Sequence, residues 1–405
     1  MGTRRRRVLA ALGVLAAPSV ALSAAGSAAR LAAPTAADLI PHAGAASGRT
    51  GVIAWGPAGA WLALPGGRVL HWPDALLPPQ PVAGGLWLAR RDGRVQRLAL
   101  DGSDLRSIAQ FDPPAAPHAL AVADDGRWCF VAAGEQLIAL DAQARLQRRW
   151  AGEDLLRRHR GRATALFAHA GRRSLIAAWP ALGELWEIPL DPAAPPHYDG
   201  LVHDWRFGEG IATPGLLSVR RSPLGRPMAD VAFADARLPW LAGVRGDEVH
   251  ILHLDVRRRI ATLPLPGARV PAALWRPGPA GAAARGRWWL PAGDTVHELD
   301  AQRWTIEAGT RLPGPVRQLV AVGDDAWALV DAAQPLWRRG ARDLQWQPLA
   351  VDARRITTLA ADPANGHALL ASAGPAALLR VDAEGRPVER WPLGDETSVH
   401  GLMAW

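Results

Sequence analysis

The sequence contains no lysine and a single cysteine, and both shortages exclude kinds of chemistry. Its 46 basic residues are all arginine, so neither a Schiff-base lysine nor a phosphate-binding P-loop lysine is available. With Cys129 as its one cysteine, the chain has no internal disulfide, no Cys-x-x-Cys-His site for a covalent c-type haem and no cysteine-rich zinc site. Cys129 lies in the apolar run RWCFVAA, which predicts a buried and unreactive thiol.

The first residues follow the order of an export signal. Four consecutive arginines precede an apolar run over residues 8–22, and small residues come next. The arginines also fit a twin-arginine signal. We therefore predict an export signal over residues 1–24, a linker over 25–50 and a periplasmic mature protein without a membrane span. The apolar run is short for a span of about 20 residues, and an uncleaved N-terminal anchor is the alternative.

The positive charge of the chain is modest once this leader is set aside. The net charge is +8, and four of these charges are the leader arginines, so 8 − 4 leaves about +4 for the remainder. The basic clusters are not interleaved with aromatic residues as a groove for a nucleic-acid strand requires. The sequence therefore argues against nucleic acid as a partner.

A pattern of short strands recurs about every 40 residues, as in propeller repeats. Each unit has period-two strands, a Gly or Asp turn, and a third strand that ends in Leu-Asp or a close variant. The units cover 51–80, 84–113, 118–150, 163–190, 229–266, 272–312, 315–348 and 356–392. We predict an all-β fold, an eight-bladed β-propeller of four-stranded antiparallel blades over residues 51–405. The tail 398–405 is expected to pair with the first blade and close the ring.

Two further features accompany the repeat. The chain has 19 tryptophans, which suit the wedges between blades, so we expect most of them in the core. The stretch 153–162 is the one candidate helix beyond the leader. Aspartates at blade turns are expected to accept hydrogen bonds from nearby backbone and to have no acid–base role.

The longest segment that does not fit the repeat is 191–221. It groups the chain's only tyrosine, Tyr198, with His203, Asp204, Trp205 and Arg206. We interpret it as an ordered connection between the fourth and fifth blades, lying over one mouth of the ring as a ligand contact or lid. Its histidines and aspartates are metal-ligand types, but their irregular spacing favours ordinary hydrogen bonding, and we assign no metal site.

Arginine groups are the other candidate binding features. They lie at 157–162, at Arg220 and Arg221, and at 257–259. Guanidinium groups at the face of a propeller can bind carboxylates or small anions, and a solvated surface is the alternative for each group. No Gly-x-Ser-x-Gly motif is present, which argues against a serine hydrolase of the α/β type.

The stretches 172–215 (RRSLIAAWPALGELWEIPLDPAAPPHYDGLVHDWRFGEGIATPG) and 254–267 (LDVRRRIATLPLPG) resemble the haem-d1 propeller family. That family includes the d1 domain of cytochrome cd1 nitrite reductase and stand-alone relatives, some of which serve haem d1 assembly. The resemblance implies an eight-bladed propeller in the periplasm with haem d1 at its axis. It also implies a task for arginines, because haem d1 carries several carboxylates.

The departures from the family concern its histidines. One distal histidine of the reductases corresponds to Ala229, and the segment 268–275, where the second is expected, contains none. The proximal iron ligand corresponds to Ala75 in an ungapped alignment, with His71 nearby. No c-type haem domain is present to deliver electrons. The resemblance therefore does not extend to nitrite reduction by this chain alone.

Three hypotheses for function follow. The first is a periplasmic propeller that binds haem d1 or a precursor and assists nitrite reductase maturation or denitrification, with a nitrite reductase or haem d1 assembly proteins as partners. Its predicted cofactor contacts are His71, Tyr198, His203, Asp204, Trp205, Arg206, Arg220 and Arg221. The second is an oxidoreductase in haem d1 biosynthesis, with His203 or His197 as general acid or base. The third is a cofactor-free propeller that docks proteins.

Overall fold

The repeats of the sequence fold into four-stranded antiparallel sheets, and the third repeat shows why. Asp141 ends its third strand, and the Oδ1 atom of this residue accepts hydrogen bonds from the backbone N–H of Gln143 and Arg145, both at 2.9 Å. The same arrangement recurs at Asp300 and Asp382. The recurring Leu-Asp pattern therefore marks the turn into the fourth strand, as the sequence predicts.

The strands of the first four blades are as follows. Blade 1 contains β1 (Val52–Gly56), β2 (Gly59–Ala63) and β3 (Val69–Trp72). Blade 2 contains β4 (Gln80–Val82), β5 (Gly85–Ala89), β6 (Val95–Asp101) and β7 (Asp104–Phe111). Blade 3 contains β8 (Pro117–Ala123), β9 (Trp128–Ala133), β10 (Gln136–Asp141) and β11 (Leu146–Ala151). Blade 4 contains β12 (Ala165–His169), β13 (Ser174–Trp179), β14 (Glu184–Pro189) and β15 (Arg220–Pro223).

The remaining strands complete the ring. Blade 5 contains β16 (Val231–Phe233), β17 (Trp240–Arg245), β18 (Glu248–His253) and β19 (Arg258–Pro264). Blade 6 contains β20 (Leu274–Arg276), β21 (Arg287–Ala292), β22 (Thr295–Asp300) and β23 (Thr305–Arg311). Blade 7 contains β24 (Val316–Val322), β25 (Asp325–Val330), β26 (Leu336–Arg339) and β27 (Gln347–Pro348). Blade 8 contains β28 (Ile356–Asp362), β29 (His367–Ser372), β30 (Ala377–Val381) and β31 (Pro387–Pro392), and β32 (Gly401–Ala404) returns to blade 1.

The structure is a computed structural model that describes the chain from residue 51 onwards. The described residues are 51–101, 104–123, 126–196, 215–224, 228, 231–234, 238–277, 286–340, 343, 345–351, 353, 355–394 and 397–405. Among them, short 3₁₀ turns occur at Ala170–Arg172, Pro180–Leu182 and Val270–Ala272, and no helix is long and apolar enough to cross a bilayer. The predicted export signal and linker lie outside this part of the chain and stay predictions.

The ring is an eight-bladed propeller closed by its C-terminal strand. The first strand of each blade is innermost, since β8 contacts β4 and β12, and β28 contacts β24 and β32. Strand β32 pairs with β1 in the register Val52↔Ala404 to Trp55↔Gly401. Blade 1 therefore takes its innermost strand from the end of the chain, which confirms the prediction for 398–405.

The core lies between the apolar faces of neighbouring blades. The largest fully buried side chains include Trp87, Trp179, Trp186, Trp288, Trp327 and Trp391. Burial of each such side chain stabilises the fold by roughly 1.5–3 kcal/mol or more. Cys129 is free and fully buried, and burial raises the pKa of its thiol well above the ordinary value. Both the aromatic core and the inert thiol match the sequence predictions.

Two sequence predictions are wrong. Segment 191–221 does not connect the fourth and fifth blades, because Arg220–Pro223 pairs with Glu184–Pro189 as the fourth strand of blade 4. The irregular segment therefore lies within blade 4, between its third and fourth strands. The candidate helix 153–162 is instead a hairpin, in which Glu153 bridges Arg160.

Candidate functional site

Strand direction divides the loops of the ring between two faces. Because adjacent strands are antiparallel, turns between first and second and between third and fourth strands share one face, while second-to-third turns and connections between blades share the other. We call the first the hairpin face and the second the interblade face. Examples on the hairpin face are 170–173 and 254–257, and examples on the interblade face are 73–79, 152–164, 180–183 and 265–273.

One position recurs at the start of the innermost strands, on the interblade face. It lies two residues before a central leucine. In blades 3, 7 and 8 the residue at this position has no partner on the neighbouring strand; in blade 3, for example, the pairing passes from Pro117 directly to Ala119. We call it the ring position. It is occupied by His118, Thr164, Arg317, Thr357 and His400 in blades 3, 4, 7, 8 and 1. Blade 5 has Val231 in place of the leucine, and its ring position is Ala229, outside the described residues.

The skipped residues are β-bulges, which turn a side chain away from regular pairing and are common beside binding sites. His118, Arg317 and Thr357 are half-buried, and each follows a buried first residue of its strand. His400 directly precedes β32, and its backbone N–H donates to the Trp55 carbonyl at 2.8 Å. Imidazole, guanidinium and hydroxyl side chains therefore lie at the start of the innermost strands in five of the eight blades.

His118 is held as a neutral imidazole. Its Nε2 lies 2.9 Å from the carbonyl oxygen of Ala163, and since a carbonyl only accepts, Nε2 carries the proton and Nδ1 keeps its lone pair. Burial lowers the pKa of His118, as does the nearby charge of Arg162. A neutral imidazole with a lone pair is the form that binds a metal ion.

Arg317 provides a cation at the same mouth. Its side chain is 42% exposed, and the guanidinium lies 3.5 Å from the carboxylate of Asp331, which is a loose pair. A loosely paired, accessible arginine can form charge-assisted hydrogen bonds to a carboxylate. Thr164 and Thr357 add hydroxyl groups, although the Thr357 hydroxyl already donates to the Ala371 carbonyl at 3.3 Å. The ring positions therefore suit an anionic ligand with an atom that imidazole can coordinate.

His71 lies elsewhere. It belongs to β3, the outermost strand of blade 1, and its exposed ring stacks on Trp61 with centroids 4.9 Å apart and planes 3° from parallel. Its Nε2 lies 3.1 Å from the carbonyl oxygen of Ala58. Ala75 is buried and bridged to Arg90. His71 is thus at the rim of its blade, while the ring positions surround the axis.

Arg220 and Arg221 lie on the outermost strand of blade 4 and already have partners. Arg220 Nη1 donates to Glu187 at 3.0 Å. Arg221 donates to Glu184 at 3.1 Å and lies over the Trp186 ring at 4.4 Å from its centroid. These contacts hold the fourth strand of blade 4 in place. The structure therefore gives both arginines a structural task.

The remaining predicted contacts lie outside the described residues. They are Tyr198, His203, Asp204, Trp205 and Arg206, and His197, the alternative acid or base, lies outside them as well. The two stems of their segment are described and leave the hairpin face, where Leu190 N donates to Arg173 O at 2.8 Å and Leu217 N donates to Pro189 O at 2.9 Å. In the described part of the chain, no three His, Cys, Asp or Glu side chains come together as metal ligands.

The hairpin-face end of blade 4 carries a buried charge cluster. Glu187 accepts from Arg172 at 2.7 and 3.3 Å, from Arg220 at 3.0 Å and from the Ser174 hydroxyl at 3.2 Å. Arg172 also bonds Asp255 of blade 5 at 2.7 Å. Both carboxylate oxygens of Glu187 are occupied, so the cluster joins two blades and leaves this carboxylate no place for a ligand.

His169, at the end of β12 beside this cluster, is almost fully buried at 1% exposure. Its ring meets Phe233 edge-on at 5.2 Å. Burial, followed by the charge of Arg172, lowers its pKa from the ordinary 6.5. The folded protein therefore holds His169 neutral.

This burial predicts a pH dependence of stability. As pH falls below 6.5, His169 gains a proton in the unfolded chain before it does so in the folded one. This group should then lower the free energy of unfolding by at most about 1.4 kcal/mol for each pH unit. Well above pH 6.5, it should not change the free energy of unfolding. Urea unfolding across this window checks it: the His169→Gln variant should show a shallower slope, and an identical slope would contradict the assignment.

Sequence reasoning missed His118 and His400. A signal was available, because His118 and His400 both stand two residues before a leucine, in PHALAV and VHGLMA. Arg317 and Thr357 occupy the same place in VRQLVA and ITTLAA. Alignment of the repeats on this leucine would have grouped them.

Comparisons with known proteins support the fold. No protein-family model matches the chain, and no curated protein is significantly similar to it. Among solved structures, the dihydro-haem d1 dehydrogenase NirN in complex with DHE has a TM-score of 0.66 at 18% identity, covering 88% of this chain and 74% of that one. BamB from Moraxella catarrhalis has a TM-score of 0.50 at 14% identity, covering 82% and 92%. At these identities the likeness is one of fold alone, and it agrees with the β-propeller described above.

Proposed function

We propose that this propeller binds haem d1 or a related tetrapyrrole at the axial mouth of its interblade face, in the periplasm. The observation that carries the proposal is the ring of polar side chains, His118, Arg317, Thr357 and His400, at the start of the innermost strands. The likeness to NirN, solved with DHE, supports the same ligand class.

The family resemblance supports the same face. The positions of the reductase histidines correspond to Ala75, to Ala229 and to the segment 268–275. In the order of the strands, these positions fall between β3 and β4, between β15 and β16, and between β19 and β20. All three are connections between blades, so they and the ring positions belong to one face.

Each ring residue has a role that fits its chemistry. His118 would be the better iron ligand, because its Nε2 donates to Ala163 and its Nδ1 keeps a lone pair. Exposed His400 would be the second candidate. Arg317 would pair with a carboxylate of the tetrapyrrole. The bound group would supply redox chemistry, and these side chains would orient it and set its electrostatic surroundings.

The task we propose is accessory: assistance to the maturation of a nitrite reductase or to denitrification. Ala229 and the histidine-free segment 268–275 provide no proton donors for nitrite at the family's positions. An oxidoreductase acting on a d1-type tetrapyrrole is the alternative, and its signature would be conversion of a precursor that the His203→Ala variant loses. A cofactor-free docking propeller is the third outcome.

The test is an absorbance titration of haem d1 into the purified protein. We expect a shift of the Soret band that saturates at about one ligand per chain, because the ring has one axis. The His71→Ala variant tests whether the rim of blade 1 contributes to binding, and the His203→Ala variant tests the same for the irregular segment. The shift should persist in His71→Ala. Absence of any shift on mixing would favour the docking propeller.

A further inference from the structure

The connection 152–161 between blades 3 and 4 is a small hairpin on the interblade face. The backbone N–H of Gly161 donates to Gly152 O at 2.9 Å, and that of Asp154 donates to His159 O at 3.1 Å. Glu153 bridges Arg160, and their side chains form an ion pair at 2.6 Å. This 152–161 hairpin is therefore an ordered projection.

Asp154 fixes the tip of the hairpin. One of its carboxylate oxygens accepts the backbone N–H of Arg158 at 2.8 Å, and the other lies 2.6 Å from His159 Nδ1. The hydrogen bond from His159 holds the pKa of Asp154 below its ordinary value. Arg157 adopts a left-handed backbone with φ of 56° and completes the turn. These contacts fix a tight turn in which the two residues after Asp154 face the solvent.

Those residues are leucines in contact with solvent. Leu155 is 47% exposed and Leu156 is 58% exposed, and they are the one adjacent pair among the exposed large apolar side chains of the described residues. Leu76, at 39%, lies on another connection of the same face, whereas Val256 is the one such residue on a hairpin-face turn. The interblade face therefore carries a projecting apolar tip that the opposite face lacks in its described part.

Positive charge surrounds the leucines. Arg157, Arg158 and Arg162 are exposed, and within the described residues none of them forms an ion pair. Guanidinium is weakly hydrated and forms paired hydrogen bonds to phosphate. An apolar tip ringed by arginines is the composition of a segment that inserts at the surface of an anionic membrane.

We propose that the 152–161 hairpin docks the propeller on an anionic lipid bilayer. Leu155 and Leu156 enter the boundary between headgroups and acyl chains, and Arg157, Arg158 and Arg162 bind lipid phosphates. A bilayer fits better than a protein partner, because a stable protein interface needs about 800 Å² on each side, while this tip presents two leucine side chains. Docking in this way turns the axial mouth towards the membrane.

The experiment is co-sedimentation of the full chain with two kinds of vesicle, phosphatidylcholine alone and phosphatidylcholine mixed with phosphatidylglycerol. We expect binding to the anionic vesicles, weakened by salt. The Leu155→Ser/Leu156→Ser variant should bind about tenfold more weakly, since it removes the inserted apolar groups. The Arg157→Gln/Arg158→Gln variant should lose the preference for anionic vesicles.

Leu146→Ser is the matched control, because Leu146 is also 47% exposed but lies on the outermost strand of blade 3. It should bind like the wild type. Failure of the wild type to bind anionic vesicles would overturn the proposal, as would equal loss in Leu146→Ser. No tetrapyrrole is needed in this assay, so its outcome is independent of the proposed ligand.

Discussion

Truncation of the chain after Thr397 should prevent the ring from closing. The change removes β32, and with it three buried side chains. Val399 and Leu402 pack between blades 1 and 8, and Met403 packs between blades 1 and 2. At roughly 1.5–3 kcal/mol for each side chain, the loss is about 5–9 kcal/mol, comparable to the whole stability of a typical domain. We expect a chain without a cooperative unfolding transition, measured by tryptophan fluorescence in urea.

A graded series makes this prediction sharper. Leu402 is fully buried, and Leu402→Ala should destabilise the fold by about 2–5 kcal/mol. Val388→Ala, at a position 51% exposed on the outermost strand of blade 8, should change stability by less than about 0.5 kcal/mol. A truncated chain that unfolds at the wild-type urea concentration would show that closure does not depend on β32.

Glu187→Gln should be among the most damaging single substitutions. Glu187 is buried, and its side chain, 7% exposed, is the common acceptor for Arg172 and Arg220. Neutralising it leaves two largely buried guanidinium groups without their main anion. Removal of one member of a buried ion pair destabilises a protein by about 3–5 kcal/mol, and urea unfolding should show a loss of this size.

An exposed ion pair provides the control for Glu187→Gln. Arg386 and Glu384 pair at 2.9 Å with side chains 72% and 58% exposed, so Glu384→Gln should change stability by less than about 1 kcal/mol. A triple variant with Glu187, Arg172 and Arg220 all replaced by leucine should recover part of the loss, because no buried charge then remains unpaired. If Glu187→Gln and Glu384→Gln have equal effects, the cluster does not stabilise the seam between blades 4 and 5.

The repeat made most of the fold predictable. The Leu-Asp ending of the third strand appears in the structure as a turn closed by Asp141 and its equivalents, and the tail pairs where the pattern requires. The fourth strand of blade 4 could not be predicted in this way. Arg220–Pro223 is short and polar, and it joins the sheet by backbone pairing, which leaves little trace in the pattern of side chains. The long segment before it therefore looked like a connection between blades.

The proposed site was harder to predict, for a physical reason. In a propeller, the order of a strand within its blade decides the distance of a residue from the axis, and spacing along the chain does not show it. His71 is near the family's ligand position in sequence but lies on an outermost strand. His118 and His400 lie at the start of innermost strands. In the sequence, however, each appears only as a single polar residue before an apolar run.

The most direct test of the proposed ligand site compares histidines on the two faces in one haem d1 titration. Wild type and His253→Ala, a variant at the hairpin-face end of β18, should bind with equal affinity and equal spectra. His118→Ala should alter the Soret band by loss of a ligand. Arg317→Gln should weaken binding about tenfold, as expected for the loss of a charge-assisted hydrogen bond. Wild-type affinity and spectra in both ring variants, or no binding by the wild type, would contradict a tetrapyrrole site at this mouth.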